Sequence, residues 1–407
     1  MGRHIDIAVV GAGASGMAAA VCAARSGASV TLIEAQNRAG RKLLSTGNGR
    51  CNISNASISA EHYRSKAMDR VAALLDCVPP DEILDFLCSL GLDCFEEREG
   101  RIYPRSEQAA SVLDMLRAEL ERLGVSFISE CRITSVRRKA SGFELVHDGG
   151  LLQADKVIIA CGSEAAPQLG GRADGLALTK ALGHKALPFT PALVGLKADS
   201  PHLRALKGVR WRCSLSLICK GQHIHSEKGE VQFNEDNLSG IVTMQMSSRI
   251  ARLGEGCVLR IDLLPEYTKE QVRQRIAALS RSLGHVPLES FLGGLLNKRI
   301  AVCVLKQAGV TGLARPASQL KERDINAVSS VIKAWDFPVT GHCGWKTAQV
   351  AGGGLLLEQF DQHLQSAIVP GLYACGEVLD CDGDCGGFNL HWAWCTGIIA
   401  GRAAAQH

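Results

Sequence analysis

The sequence predicts an α/β protein in which a Rossmann-type dinucleotide-binding domain is interrupted by a β-rich domain carrying a small nested helical subdomain. Three observations lead there. A buried strand, a glycine-rich turn and a small-residue helix open the chain; short alternating strands replace that pattern beyond Pro188; and a glycine-rich strand and turn return near the C-terminus, ahead of a final helix.

Ile5 to Val10 reads as a buried strand, residues 14–26 as a helix and 29–33 as the next strand, a βαβ unit of the length that a right-handed crossover needs. Helical patterns follow at 63–76, 81–90 and 109–123. Strands are expected at 125–128, 132–138, 143–147, 151–153 and 156–160, the last ending in Cys161-Gly162. In the β-rich part, strands fall at 194–198, 213–220, 222–226 and 230–233, and helices at 268–283, 288–296, 302–308 and 317–326. Glycine returns from Thr347; residues 371–376 read as strand and turn, and 390–405 as the terminal helix. The expected division is therefore 1–190 and 347–407 for the two parts of the dinucleotide domain, and 191–346 for the insert, with its helical subdomain at about 265–316.

A chain of 407 residues exceeds the size at which one hydrophobic core stops growing, and 46% apolar with 21% charged residues describes an ordinary globular protein. The 45 basic residues outnumber the 41 acidic ones only slightly and are scattered, and aromatics make up 5%. A basic or stacking surface for nucleic acid is therefore not expected. Sixteen cysteines include no CxxC pair, so zinc ribbons and iron–sulfur sites have no support, and no metal is expected. The absence of a signal-like segment and of a long apolar run leads to the expectation of a cytoplasmic protein without a membrane span.

Gly11-Ala12-Gly13-Ala14-Ser15-Gly16 is a GxGxxG that follows a strand and opens a helix, and Glu34 ends the next strand, followed by Ala35. Gly11 permits the tight turn, Gly13 lets the backbone approach a pyrophosphate, and Gly16 lets helix and strand pack closely. N–H groups of Ala14, Ser15 and Gly16 face phosphates at the positive end of a helix dipole, and Glu34 accepts from ribose hydroxyls. The fingerprint alone leaves FAD and NAD both open. Just after the ribose-binding strand, Arg41, Lys42, Gly49, Arg50, Cys51 and Asn52 add cations and backbone amides beside the cofactor, although a solvated basic loop would read the same way. Gly352-Gly353-Gly354 lacks fingerprint spacing, so NAD(P)H, as electron donor, would use a transient site.

The segments GRKLLSTGNGRCNISN and GLYACGEVLDCDGDCGGFNLHWAWCTGIIAGR resemble the bacterial flavoprotein family that includes BaiN-type 3-dehydro-bile-acid reductases and the aminoacetone oxidases, and the resemblance covers nearly the whole chain. It implies a glutathione-reductase-like FAD domain whose cofactor is held by both ends of the chain. It further implies that Gly376, Glu377, Asp380 and Gly383 line the ribityl and pyrophosphate side, and that Gly386, Gly387, Phe388, Asn389 and Leu390 lie under the isoalloxazine. Backbone amides there would stabilise the negative charge of the reduced ring. Ile133 resembles the backbone contact to adenine, and Ala160-Cys161-Gly162 the turn that closes over the cofactor. Cys381 and Cys385, where the family usually carries other residues, invite a redox-disulfide reading, set against simple substitution in a reducing compartment. Cys51 reads first as a packed residue.

Hydride addition to a conjugated C=C needs a proton for the other carbon. His391 adjoins the flavin-facing helix start, and Tyr103 and Arg105 lie in a segment resembling the family's substrate face; these three are the candidates. The expected function is NAD(P)H-dependent reduction of a conjugated C=C in a small hydrophobic enone such as a 3-oxo-4,6-diene bile acid or steroid, with the insert as a lid over the ring. A flavin amine oxidase passing electrons to oxygen, and a non-catalytic flavin-binding regulatory protein, remain as alternatives.

Overall fold

The computed structural model describes residues 4–406. Among them the chain forms two compact units, one made of the residues up to Ala192 together with those from Trp345 onward, the other of Leu193–Gly344.

In the first unit, β1 (His4–Val10) leads into α1 (Ala14–Arg25) and β2 (Val30–Ile33). A seven-stranded sheet runs in the order Ser126–Ile128, β2, β1, Gly150–Ile159, Phe143–His147, Ile133–Arg138, with Leu372–Ala374 also paired to Gly150–Ile159. All four residues of β2 are buried, which is what a parallel strand covered on both faces requires. Val10 pairs with Ile33 on one side and with Ile159 on the other, so the end of β1 is the point where the strand order reverses. Ligands of doubly wound sheets bind at such a point.

The C-terminal helix Phe388–Gln406 is apolar almost all round and largely buried. It lies against α1 with no side chain between the two backbones. A Cβ on Gly397 would stand 2.5 Å from the Ser15 carbonyl oxygen, and one on Gly401 2.3 Å from that of Ala19. Four residues apart, the two glycines share one helix face. Further along the same helix, the Thr396 hydroxyl accepts from the N–H of Gly376 at 2.9 Å, and the Trp394 indole donates to the Ile53 carbonyl at 3.1 Å.

Several elements differ from the sequence reading. Tyr63–Arg64 is a strand paired with Asp382–Gly383, and the helix beyond it is Met68–Cys77. Its helical periodicity yields to a tertiary tie, because the buried Tyr63 hydroxyl donates to the Phe388 carbonyl at 2.9 Å. Gly150–Ile159 is one strand rather than two: its first half pairs antiparallel with Phe143–His147 and its second half parallel with β1. Ala186–Ala192 pairs with Val350–Leu355, a ladder hidden by its three glycines. Gly354 is needed there, since a Cβ would come within 2.6 Å of the Leu379 backbone. The terminal helix begins at Phe388, two positions earlier than its apolar pattern suggests.

The second unit is a closed barrel of Leu196–Ala198, Asn237–Ser239, Gln222–Phe233, Arg210–Cys219, Cys257–Asp262 and Trp335–His342, with its own core around Phe233, Trp335 and Phe337. Helices Lys269–Ser282, Lys298–Gln307 and Glu322–Lys333 fold beside it, the first fixed by a capping box between Thr268 and Gln271. Residues 222–226 and 230–233 join into one strand across Gly229. Helix Ile241–Leu253, absent from the sequence reading, explains why: Val242 would meet a Cβ on Gly229 at 2.4 Å. The pattern at 288–296 contracts to Leu288–Phe291.

Gly401→Ala should destabilise the protein by about 1–3 kcal/mol, the usual result of overpacking against backbone. Gly294→Ala, at an exposed position with no atom within 4 Å of a Cβ, is the control and should leave thermal unfolding unchanged. Equal melting temperatures for the two variants would show that the helix contact is looser than described.

Candidate active site

The fingerprint turn can be tested glycine by glycine. Gly11 has φ +108°, and a Cβ there would lie 2.4 Å from the Ala160 carbonyl oxygen; at Gly16 it would lie 1.9 Å from the carbonyl oxygen of Gly11. Both glycines are therefore required by the fold itself. Gly13 is not. It caps α1 with ordinary backbone angles and no side-chain hydrogen bond, and a Cβ would meet nothing within 4 Å. The space over this helix N-terminus, faced by Ala14 and Ser15, fits a pyrophosphate. Gly162, with φ +68°, likewise has open space where a Cβ would be, and Ala160 packs beneath the turn.

Glu34 is held by the backbone around it: one carboxylate oxygen accepts from the Ala12 N–H at 2.8 Å, the other from the Gln36 N–H at 2.9 Å. Each oxygen keeps a lone pair suited to a ribose diol. The N–H of Cys131 donates to the Glu34 carbonyl at 2.9 Å, which brings the following residues, including buried Ile133, to the same edge as Glu34 and Ala35. Arg41 donates to the Gln36 side chain at 2.6 Å on this side too.

Residues 42–55 cross to the C-terminal segment. Lys42 pairs with Glu377 at 2.7 Å, and the other Glu377 oxygen accepts from the Ala351 N–H at 2.9 Å. A Cβ on Gly376 would touch the Ser15 hydroxyl at 2.3 Å, so the N-terminal and C-terminal turns abut. Gly49 and Cys51 both take left-handed backbone angles, φ +86° and +61°, and reverse the chain so that residues 52–55 run beneath the start of the terminal helix. There the Asn55 amide donates to the Gly386 carbonyl at 2.9 Å, Ser54 meets His391 at 2.8 Å, and a Cβ on Gly387 would lie 2.1 Å from the Ser54 carbonyl oxygen. The Asn52 Oδ1 is buried beside Gly387 with no hydrogen-bond partner among the described residues. A ring N–H of a flavin is a fitting partner for that acceptor.

Other expected site residues have partners within the chain. Asp380 is buried and accepts from the Lys66 N–H at 2.9 Å. Gly383 is buried in the ladder with Tyr63, and Asn389 staples it by accepting from its N–H and donating to its carbonyl, both at 2.8 Å. Phe388 is buried under His62, ring centroids 4.2 Å apart, while Leu390 stays half-buried. Cys51 is fully buried, and burial pushes its thiol up to about 12, which keeps it protonated and packed. Cys381 and Cys385 are both thiols. Arg50 forms ion pairs with Glu97 and Glu107 and covers the Tyr103 ring at 4.2 Å.

The three acid candidates are not brought together. His391 is 0% exposed, bonded through Nδ1 to Ser54, and burial lowers its pKa to about 4. A neutral imidazole sealed in the core is no proton donor to a substrate, which corrects the sequence expectation. Arg105 is an exposed partner of Asp93 at 3.0 Å, stacked on Phe95. Tyr103 lies under Arg50, and burial raises its phenol. Ser54, Asn55, His62, Tyr63 and Asp384 escaped the sequence reading. Each gains a partner through contacts between residues 53–64 and 383–391.

The model of the HI0933-like protein Rossmann domain matches residues 5–403. The chain is 37% identical over 406 residues to the 3-dehydro-bile acid delta(4,6)-reductase of Clostridium scindens, covering 98% of this chain and 99% of that one. It is 29% identical over 400 residues to the ribosomal RNA dihydrouridine synthase of Escherichia coli, covering 96% of each. Among solved structures, 3-ketosteroid delta1-dehydrogenase from Sterolibacterium denitrificans, in complex with 1,4-androstadiene-3,17-dione, shares the fold with a TM-score of 0.53 at 16% identity, covering 99% of both chains. A flavocytochrome c3 fumarate reductase does so with 0.52 at 16% identity, over 100% of this chain and 78% of its own.

Gly13→Ala should leave the flavin-free protein's melting temperature unchanged while weakening FAD about tenfold or more, a loss of ~1.4 kcal/mol. Gly16→Ala should lower the melting temperature itself. An FAD affinity in Gly13→Ala equal to that of wild type would refute the assignment of that space to the pyrophosphate. Burial of neutral His391 adds a pH signature. Its folded pKa lies below the unfolded 6.5, so the unfolded chain binds more protons between 6.5 and about 4. The stabilisation is complete above pH 6.5 and declines by up to about 3 kcal/mol as pH falls through that window. Denaturant unfolding from pH 7 to 4 should show a shallower loss in His391→Asn; identical slopes would count against it.

Proposed function

This chain belongs to the HI0933-like Rossmann family and is an FAD-dependent oxidoreductase, and we propose that it reduces a C=C conjugated to a ketone in a flat hydrophobic molecule of the bile-acid or steroid class. The observation that carries the reading is near-full-length identity of 37% to a reductase of that substrate class. It is joined to a site in which both chain ends fit one dinucleotide. Ala14 and Ser15 would hold the pyrophosphate, Glu34 the ribose, and Asn52 with the amides around Gly387 the ring.

When bound, FAD supplies the two-electron hydride chemistry that no side chain provides. The chain's own part is electrostatic and positional. A 19-residue helix beginning at Phe388 would set the positive end of its dipole at the ring position, which favours negative charge there. Lys42, paired with Glu377, and Arg50, paired with Glu97 and Glu107, keep the surrounding loop in place, each cation held by a carboxylate. NAD(P)H is the proposed source of electrons, meeting the flavin transiently.

A second reading rests on the matches of 29% and 27% identity to two ribosomal RNA dihydrouridine synthases. A uracil ring also presents a C=C conjugated to a carbonyl, so the bond reduced would be of the same kind on a different carrier.

The experiment is anaerobic. Enzyme reduced by NADH or NADPH is mixed with a 3-oxo-4,6-diene steroid, and recovery of the flavin's visible absorbance with formation of the reduced steroid is expected. Recovery with uridine-containing ribosomal RNA and none with the dienone would replace this reading by the second. Peroxide formed from a small amine and oxygen without NAD(P)H would overturn both.

A further inference from the structure

We propose that His62 is the proton donor of the reduction, oriented by Asp384, an assignment that rests on the enone-reductase reading above. A hydride added to one carbon of the conjugated system leaves an enolate on the substrate, and a group that can release a proton near neutral pH has to complete the reaction. His391 is buried and neutral, and Arg105 carries a guanidinium that does not deprotonate in proteins. Tyr103 is covered by Arg50 with its phenol raised by burial.

His62 meets the requirements that these three do not. Its Nδ1 lies 3.1 Å from one oxygen of Asp384, whose other oxygen takes a hydrogen bond from Arg64 at 2.9 Å. The pair is clamped through the backbone as well: the Asp384 N–H donates to the His62 carbonyl at 2.8 Å, and Asn389 donates to the Asp384 carbonyl at 3.2 Å. The imidazole stacks on Phe388 with planes 22° apart, at the first turn of the helix assigned to the flavin ring. A carboxylate on Nδ1 fixes the tautomer and the orientation of the ring, leaving Nε2–H as the bond to be broken. Nε2 has no hydrogen-bond partner among the described residues, and the side chain is 36% exposed, open to both a substrate and water. The charged groups around it are Asp384 and, through it, Arg64; Glu61 precedes it in the chain, and its carbonyl accepts from Arg64 at 2.9 Å.

The step balances on these atoms. The Nε2–H bond breaks and a C–H bond forms on the enolate carbon, whose electron pair returns from the carbonyl oxygen. The neutral imidazole then regains its proton from water, and the two electrons of the reduction come from NAD(P)H by way of the bound flavin.

The test uses FAD-loaded wild type, His62→Gln and Asp384→Asn, with anaerobic stopped-flow mixing against the 3-oxo-4,6-diene steroid. Flavin content, flavin absorbance and reduction by NAD(P)H should be unchanged in His62→Gln, while reoxidation by the dienone slows about 10²-fold or more and loses its pH dependence between 5 and 8. In Asp384→Asn reoxidation by the dienone should slow as well, with flavin content and reduction by NAD(P)H unchanged. Independently of turnover, ¹⁵N ring shifts should report a hydrogen-bonded proton on Nδ1 of His62 in wild type and its loss in Asp384→Asn. Reoxidation of His62→Gln at the wild-type rate with the wild-type pH profile would overturn this assignment while leaving the enone-reductase reading intact. A wild-type enzyme that no dienone reoxidises would overturn that reading and this assignment with it.

Discussion

Gly397 and Gly401 let the backbone of the C-terminal helix rest directly on that of α1, at separations where one methyl group would collide with a carbonyl oxygen. The rest of the first unit depends on that contact. It brings the turn at Gly376 against Ser15, and it sets the start of the helix over residues 52–55. Hydrophobic burial alone would tolerate a looser helix pair separated by ordinary side chains. The close approach, by contrast, specifies register, because only the two glycines and the facing small residues of α1 fit. Two segments more than three hundred residues apart in sequence thus become one surface around the reversal point of the sheet.

Charge in this surface is managed by pairing. Lys42 is paired with Glu377, Arg50 with Glu97 and Glu107, and Asp384 with Arg64 and His62, so these loop charges each have a partner within the chain. The N-termini of α1 and of the terminal helix are left as the sources of positive potential. That division suits a dinucleotide whose pyrophosphate and reduced ring both carry negative charge. Partly exposed His62 and buried His391 divide in the same way: the first keeps a carboxylate partner at a half-open position, whereas the second is held neutral by burial, with its Nδ1 bonded to Ser54.

Local constraints were legible in the sequence. The strand, turn and helix around Gly11, Gly13 and Gly16, with Glu34 at the end of β2, are encoded within a short window, and backbone geometry alone explains two of those glycines. The β-rich middle was legible by its alternation, although Gly229 disguised one long strand as two. Roles created by distant contacts were not. Asp380 and Asn389 sit in a motif that suggests cofactor contact, yet their partners are the Lys66 amide and the Gly383 backbone. His391 follows the helix start closely enough to look accessible, but its side chain falls on the buried face, toward Ser54. Tyr63 had a helical pattern around it, and its buried hydroxyl bond to Phe388 decided otherwise. His62 carried no signal at all, since nothing near it in sequence announces Asp384.

The central claim is that both ends of the chain build one flavin site, and hydrogen exchange of the flavin-free and FAD-loaded protein tests it most directly. The account predicts that FAD slows exchange together at two separate places, the amides of residues 13–16 at the start of α1 and those of residues 386–390 at the start of the terminal helix. Protection confined to the first segment, with residues 386–390 exchanging alike in both forms, would contradict it.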